Sequence, residues 1–387
     1  MASRFQHLTV ILHDLEGGGM QRVTLTLIQA MLQQRPDLKI DLVVASAQGE
    51  YRQQVPAEVK LIDLQASFDF RTKSLARLVP KIHRYLRENQ PPVVLSCLPG
   101  LNCLTLLASF TLSRKPQIHL AEHTLPLAKW MAQETSDRQR PAGFLPRLTP
   151  PLMGFTYPWA QSIIAVSQGI AKELRQTLGA SASSVQVIYN PVIDAALAAK
   201  AAMPLSHPWL AAGQPPVFLA VGRLAKQKDY PTLIAAFRQL RQTHAAKLII
   251  LGEGELRSQL EQMIAQWGLT ADVELPGFVE NPYAYMKQAM ALVLSSLWET
   301  FGMVLAEALA CGCPVIATDC EYGPSEILAD GKYGALVPVG NIDKLAIAME
   351  QVLTIDDCDR AALIARGQEF TAAKAATQYL QVLDASA

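Results

Sequence analysis

Half of the 387 residues are hydrophobic and 18% are charged, a balance that supports two buried cores and excludes a disordered or strongly nucleic-acid-binding chain. No run of about 18 apolar residues occurs, and the start, MASRFQHLTVILHDLEGGG, reads as a strand and turn without a leader's cleavage site, which gives a cytoplasmic protein as the expectation. The formal net charge is zero, yet residues 1–195 carry 20 Lys and Arg against 14 Asp and Glu, and the remainder carries 14 against 20.

In chain order, short apolar runs alternate with helical segments. LTVILHD from Leu8, LVVAS from Leu42, VVLSC from Val93, IHLAE from Ile118 and IIAVS from Ile163 fill the first half. VFLAVGR from Val217, LIILG from Leu248, ALVLSS from Ala291 and PVIATD from Pro314 fill the second. This alternation predicts an α/β fold of parallel sheets with helices on both faces. Residues 194–216, rich in Ala and Pro and lacking a clean period, read as a connector. The predicted division is a first domain over 1–195, a linker over 196–215, a second domain over 216–367 and a final helical segment over 368–387. In open parallel sheets ligands bind beyond the carboxyl ends of the strands, so functional residues are expected directly after strands, and two such domains facing each other would form a cleft.

Several segments meet that rule. Gly17, Gly18 and Gly19 follow the first strand and precede a helix with Val23, Leu27, Ala30 and Met31 at helical spacing; they do not complete GxGxxG, and tight turning alone also calls for glycine. Residues 71–87 place Leu75, Leu78, Val79, Ile82 and Leu86 beside Arg77, Lys81, Arg84 and Arg87, a basic amphipathic helix interrupted by Pro80. With Lys129, Trp130, Arg138, Arg140, Phe144 and Arg147 in a Pro-broken loop, it suits an anionic membrane surface as well as an ordinary solvated face, and places the protein, in the first case, on the inner face of a membrane. His123 follows IHLAE; His119, four residues earlier, lacks the Glu of a zinc-protease motif. Arg223 and Lys228 follow VFLAVG just before a helix near Tyr230, a pairing of guanidinium and ammonium suited to a diphosphate.

Glu299 and Glu307 flank Gly302 in WETFGMVLAEALACGCPVIATD. Helix from Gly302 onward would set the two carboxyls roughly 12 Å apart along the axis, too far for a pair acting as acid and nucleophile on one glycosidic bond and suited to gripping an elongated ligand. Asp357-Cys358-Asp359 mimics a metal-binding DxD but precedes the helix AALIARG, where aspartates act as caps. GEGELR from Gly252 puts Arg257 where a dinucleotide fingerprint needs its third glycine. The six cysteines lack CxxC pairs or zinc spacing and read as reduced structural thiols.

VGRLAKQKDY, LGEGELR, ELPGFVENPYAYM, LSSLWETFGMVLAEALACGCPVIATD and EILADGKYGALVPVGN occur in this order, and with them the chain resembles the family 4 (group 1) retaining glycosyltransferases. The resemblance implies the GT-B fold, two Rossmann-like doubly wound domains facing across a cleft, with the last helix crossing back onto the first domain. It implies transfer of a hexosyl or N-acetylhexosaminyl group from a nucleotide-sugar donor, UDP-linked by the form of YGPSEIL, to a glycan or lipid-linked acceptor. By the same resemblance Glu307 holds the donor ribose, and Glu299 the hydroxyls of the transferred sugar. Thr300, Phe301, Gly302 and Met303 lie at the sugar and phosphates, and Arg223 and Lys228 neutralise the leaving diphosphate without a metal or other cofactor. Gly277, Phe278 and Val279 meet the base mainly through backbone, Gly18 and Gly19 approach the phosphates, and His123 lies beside the sugar. Thr300 stands where Gly is commonest, and Gln21 where Glu is usual. Within the same fold, an epimerase would need further acid and base carboxyls, a phosphorylase a longer chain with a pyridoxal-phosphate lysine, and a silent sugar-nucleotide binder would have lost one of Arg223, Lys228, Glu299 or Glu307.

Overall fold

Thirteen strands among the described residues form two sheets, parallel throughout. The computed structural model describes residues 5–16, 18–66, 74–123, 151–179, 185–354 and 358–385. The first sheet has the order β3-β2-β1-β4-β5-β6-β7. Its strands are β1 His7–Leu12, β2 Lys39–Val44, β3 Lys60–Asp63, β4 Val93–Cys97, β5 Gln117–Glu122, β6 Ser162–Ala165 and β7 Val185–Val187. The second has the order β10-β9-β8-β11-β12-β13. Its strands are β8 Val217–Val221, β9 Lys247–Leu251, β10 Val273–Gly277, β11 Ala291–Leu294, β12 Val315–Thr318 and β13 Ala335–Val337.

The central strands are continuous apolar runs because both faces are covered; every residue of β4, β6, β11 and β12 is buried. The sequence reading misses β3, β7, β10 and β13, which are the four sheet edges. An edge strand is half covered, so polar residues break its run: β3 is KLID, and β10, VELPG, accommodates Pro276. In each sheet the chain reverses its direction of travel beside the first strand: β1 lies between β2 and β4, and β8 between β9 and β11. The loops leaving such neighbours diverge to opposite faces and open a crevice at the carboxyl ends.

The chain divides into two units, Met1–Pro191 with Ala372–Ala387, and Val192–Thr371. The helix Ala372–Asp384 buries Ala372, Ala375, Ala376, Tyr379, Leu380 and Leu383, at helical spacing, in the core that holds Leu27, Ile28 and Met31 of the helix Gly19–Gln34. Arg35 fastens it, donating to Asp384 Oδ1 at 3.2 Å and to the Phe5 carbonyl. The connector read as patternless belongs to the second unit: its helix Leu197–Ala201 buries Leu197 and Ala201, and Asn281 donates to the Lys200 carbonyl at 2.9 Å.

The basic helix spans Ser74–Asn89 with Pro80 inside it. Its apolar side is covered: Leu78, Ile82, Tyr85 and Leu86 are buried, the helix packs against Pro99–Ser109, and the Tyr85 hydroxyl donates to Asp41 Oδ2 at 2.6 Å. Lys81 gives two 2.7 Å hydrogen bonds to the carbonyls of Leu64 and Gln65, Arg84 pairs with Glu88, and Arg77 and Arg87 are exposed. Gly17, the side chain of Leu75, Lys129, Trp130, Arg138, Arg140, Phe144, Arg147 and Asp357 lie outside the described residues.

Candidate functional site

In the second unit the three strand ends β8, β9 and β10 are stitched backbone to backbone. Leu251 O accepts from Gly222 N at 3.0 Å, and Gly277 O accepts from Gly252 N at 2.8 Å. A methyl group at Gly252 would stand 2.0 Å from the Gly222 carbonyl oxygen, so only glycine permits the approach. Arg223, next along, is 68% exposed, with Nη2 3.8 Å from Glu255 Oε1. Gly277 turns at φ 94°, and beyond it Phe278 stands 77% exposed while Val279 is half-buried.

The turn Lys226–Lys228 is tied across the switch point to the loop after β11. Ser295 Oγ donates to the Lys228 carbonyl at 2.6 Å, Leu297 N to the Gln227 carbonyl at 2.8 Å, and Gln227 Nε2 to the Trp298 carbonyl at 2.9 Å. These bonds deliver the Lys228 ammonium to 2.6 Å from Glu299 Oε1, and Ser296 Oγ donates to the same oxygen at 2.7 Å. Thr318 Oγ1, ending β12, donates to the Ser296 carbonyl at 2.6 Å. An ion pair so covered is expensive to desolvate and is held only because its remaining valences are met.

Glu299 and Thr300 precede the helix, which runs Met303–Ala310 and starts at Gly302, φ 87°. Of the two glutamates only Glu307 is helical; it is buried and accepts from the Tyr283 hydroxyl at 3.3 Å. Thr300 and Met303 are half-buried, and Phe301 is buried edge-on against Phe370. The loop after β12 presses on this turn: Gly323, φ 101°, could take a methyl only 1.8 Å from the Phe301 carbonyl oxygen. The Tyr230 hydroxyl, buried close to the Lys228 side chain, has no hydrogen-bond partner among the described residues, and burial raises its pKa.

In the first unit, Gly18 is extended and Gly19 opens the helix Gly19–Gln34. Gln21 folds back on the turn after β1, donating to Asp14 Oδ1 at 2.8 Å and lying 3.2 Å from His13 Nε2. His123 is buried after β5 with Nδ1 3.1 Å from Asn190 Oδ1; the carbonyl can only accept, so Nδ1 carries the proton and Nε2 is an acceptor. Burial lowers its pKa to about 4, and likewise that of His119, whose Nδ1 lies 2.8 Å from Ser162 Oγ.

Sequence reasoning missed Glu122, the last residue of β5. Its carboxyl is buried, accepts from Asn102 Nδ2 at 2.7 Å and from the Tyr157 hydroxyl, and is pushed up to about 7 by burial. No residue type or spacing marked Asn102 or Tyr157 as its partners. Ser295 and Ser296 were also missed, although they stand directly after a strand. Asp359 caps the helix Arg360–Gly367, accepting from Ala362 N at 2.9 Å. Five cysteines are buried with thiols pushed up to about 12, and Cys358 is half-buried. Among the described residues no helix is long and apolar enough to cross a membrane.

Two family models match in succession: Glycosyltransferase Family 4 over residues 17–195 and Glycosyl transferases group 1 over residues 205–370. The chain belongs to the family 4, group 1 glycosyltransferases. This glycosyltransferase is 26% identical over 360 residues, 92% of each chain, to an N-acetylgalactosamine-N,N'-diacetylbacillosaminyl-diphospho-undecaprenol 4-alpha-N-acetylgalactosaminyltransferase of Campylobacter jejuni. It is 25% identical over 343 residues to the lipopolysaccharide 1,6-galactosyltransferase of Salmonella typhimurium, spanning 87% of this chain and 86% of that one. Its fold is GT-B, matched by Anabaena HepE, solved in complex with UDP-glucose, with a TM-score of 0.72, 20% identity and coverage of 98% of this chain and 99% of HepE.

Proposed function

We propose that this glycosyltransferase moves a hexosyl or N-acetylhexosaminyl group from a UDP-sugar to a glycan or lipid-linked acceptor, with retention of anomeric configuration, in the building of a cell-surface glycan. The observation that carries the reading is the Lys228–Glu299 pair, 2.6 Å apart and mostly buried at a switch-point crevice, with Glu307 on the helix that follows. In this reading Glu307 accepts from the ribose hydroxyls and Glu299 from the sugar. The amides of Phe301, Gly302 and Met303, with Thr300 beside them, face the sugar and phosphates at a helix start where anions are favoured. The base lies along Gly277, Phe278 and Val279, where the exposed Phe278 ring adds a stacking surface. Gly18, Gly19 and His123 are the residues of the first unit that take part; His123 Nε2, a neutral acceptor, suits a sugar hydroxyl.

The chemistry is front-face substitution. The bond from the anomeric carbon to the diphosphate breaks as the bond to the acceptor oxygen forms on the same face, and the acceptor's proton passes to a diphosphate oxygen. Charge developing on the leaving group falls to Arg223 and Lys228, with no cofactor assigned. The relatives named for lipid-linked and lipopolysaccharide substrates support an acceptor of that class.

A thermal-shift and hydrolysis screen of UDP-, GDP- and ADP-sugars tests this, because a ligand that binds only the native state raises Tm. A rise with UDP-sugars that Glu307→Ala abolishes is the expected result. No rise with any nucleotide sugar would overturn the donor assignment.

A further inference from the structure

Among the described residues the first unit exposes three large aromatic rings, which form one cluster that shares no residue with the donor assignment. Phe110, Phe155 and Trp159 are 57%, 62% and 39% exposed. Trp159 stacks on Phe110 at 5.1 Å between centroids and meets Phe155 edge-on at 4.9 Å, so the cluster is ordered without burying its outer faces. Each ring is pushed outward by a neighbour anchored inward. Phe110 closes the helix Pro99–Ser109, and Leu112, two residues on, is buried and donates its N–H to the Ser109 carbonyl. Phe155, in the helical stretch that ends at Thr156, and Trp159, in the 3-10 turn Tyr157–Trp159, bracket Tyr157, whose hydroxyl is fixed to Glu122.

The cations around the cluster are also exposed. Lys115 Nζ lies 5.5 Å from the Phe110 ring centre, Arg114 precedes it, and residues 108–117 and 151–161 contain no Asp or Glu. Both turns lead into the amino ends of β5 and β6, the opposite sheet edge from His123.

We propose that this aromatic cluster, with Arg114 and Lys115, is a docking surface for an anionic lipid bilayer. Ordered, half-exposed Phe and Trp rings beside cations are the composition that partitions into the headgroup region, where apolar ring faces leave water while ammonium and guanidinium groups meet lipid phosphates. A second copy is a poorer occupant, since a two-fold contact would set the cations of one copy against those of the other, and residues 108–117 and 151–161 supply no Asp or Glu to offset them. The surface is distinct from the basic helix Ser74–Asn89, whose apolar side is already buried. The proposal stands apart from the transfer reading, because the cluster shares no residue with the donor assignment.

The test is co-sedimentation of the full chain with phosphatidylcholine vesicles, with and without phosphatidylglycerol. The variants are Phe110→Ser with Phe155→Ser and Trp159→Ser, and separately Arg114→Gln with Lys115→Gln. The wild type should sediment with the anionic vesicles alone, the aromatic variant should lose about tenfold or more in affinity, and the charge variant should lose most of the dependence on phosphatidylglycerol. Circular dichroism and the UDP-sugar thermal shift should be unchanged in both, which separates this result from failure of the donor reading. Absence of wild-type binding, or binding that neither variant alters, overturns the proposal. So does a dimer in sedimentation velocity that the aromatic variant dissolves, which would assign the face to a second copy.

Discussion

Glu299 and Glu122 are both buried carboxyls at the carboxyl edge of a parallel sheet, and their surroundings differ in kind. Glu299 has an ammonium at 2.6 Å and a serine hydroxyl at 2.7 Å on the same oxygen. Among the described residues Glu122 accepts only from neutral donors, the Asn102 amide and the Tyr157 phenol, and its carboxyl moves up to about 7. A cation beside a buried carboxyl yields a polar pair able to meet a charged substrate, whereas neutral partners yield a carboxyl that holds or releases a proton near neutrality. The first arrangement is built for charge and the second for cohesion.

The sharpest way to break the comparison is to remove the cation. Lys228→Ala should lower kcat by about 100-fold or more, since its positive charge acts on the leaving diphosphate. It should also lower Tm by leaving Glu299 without its ion-pair partner; adding Glu299→Gln should recover Tm without recovering turnover, a split measurable by calorimetry and initial rates. Unchanged turnover in Lys228→Ala would sink the catalytic assignment. Next in size is Gly323→Ala, which sets a methyl 1.8 Å from the Phe301 carbonyl oxygen at φ 101° and should cost about 1–3 kcal/mol in denaturant unfolding.

Glu122→Gln sharpens the other side. Between about 4.5 and 7 the folded chain keeps a proton on Glu122 that the unfolded chain has released, so this group's stabilisation is full below that window and lost as pH rises through it. The amide variant should therefore melt a few degrees higher than wild type at pH 8 and lose the advantage near pH 5. His119 and His123 act in the opposite sense. Held down to about 4 from 6.5, they contribute stability that is full above 6.5 and drains away as pH falls toward 4. The smallest effect is expected from Tyr283→Phe, which removes one 3.3 Å hydrogen bond to Glu307. It should weaken UDP-sugar binding by about 1 kcal/mol or less, read by calorimetric titration.

How much of this was legible follows from what covers each residue. Strands buried on both faces announce themselves as unbroken apolar runs, so β4, β6, β11 and β12 could be read directly, while β3 and β10 carry charges on their open sides and could not. The loop after β8 with Arg223 and Lys228 was found because position after a strand is visible in sequence. Ser295 and Ser296 satisfied the same rule and were passed over as strand ends. The partners of Glu122 come from a helix start 20 residues upstream and a turn 35 residues downstream, which periodicity cannot pair. The aromatic cluster escaped for the same reason, since Phe110 and Trp159 meet only once β5 and β6 lie side by side.

The helix Ala372–Asp384 gives the molecule an order of assembly. The sheet of the first unit leaves the ribosome first, but part of its core arrives last, after the 180 residues of Val192–Thr371. At ordinary elongation speeds of about 5–20 residues per second, that delay is roughly 9 to 36 s, during which the groove for Ala375, Ala376, Tyr379 and Leu383 faces water. The uninterrupted second unit can finish first, and the nascent first unit, open along one face, is the stage at which chaperones have something to hold.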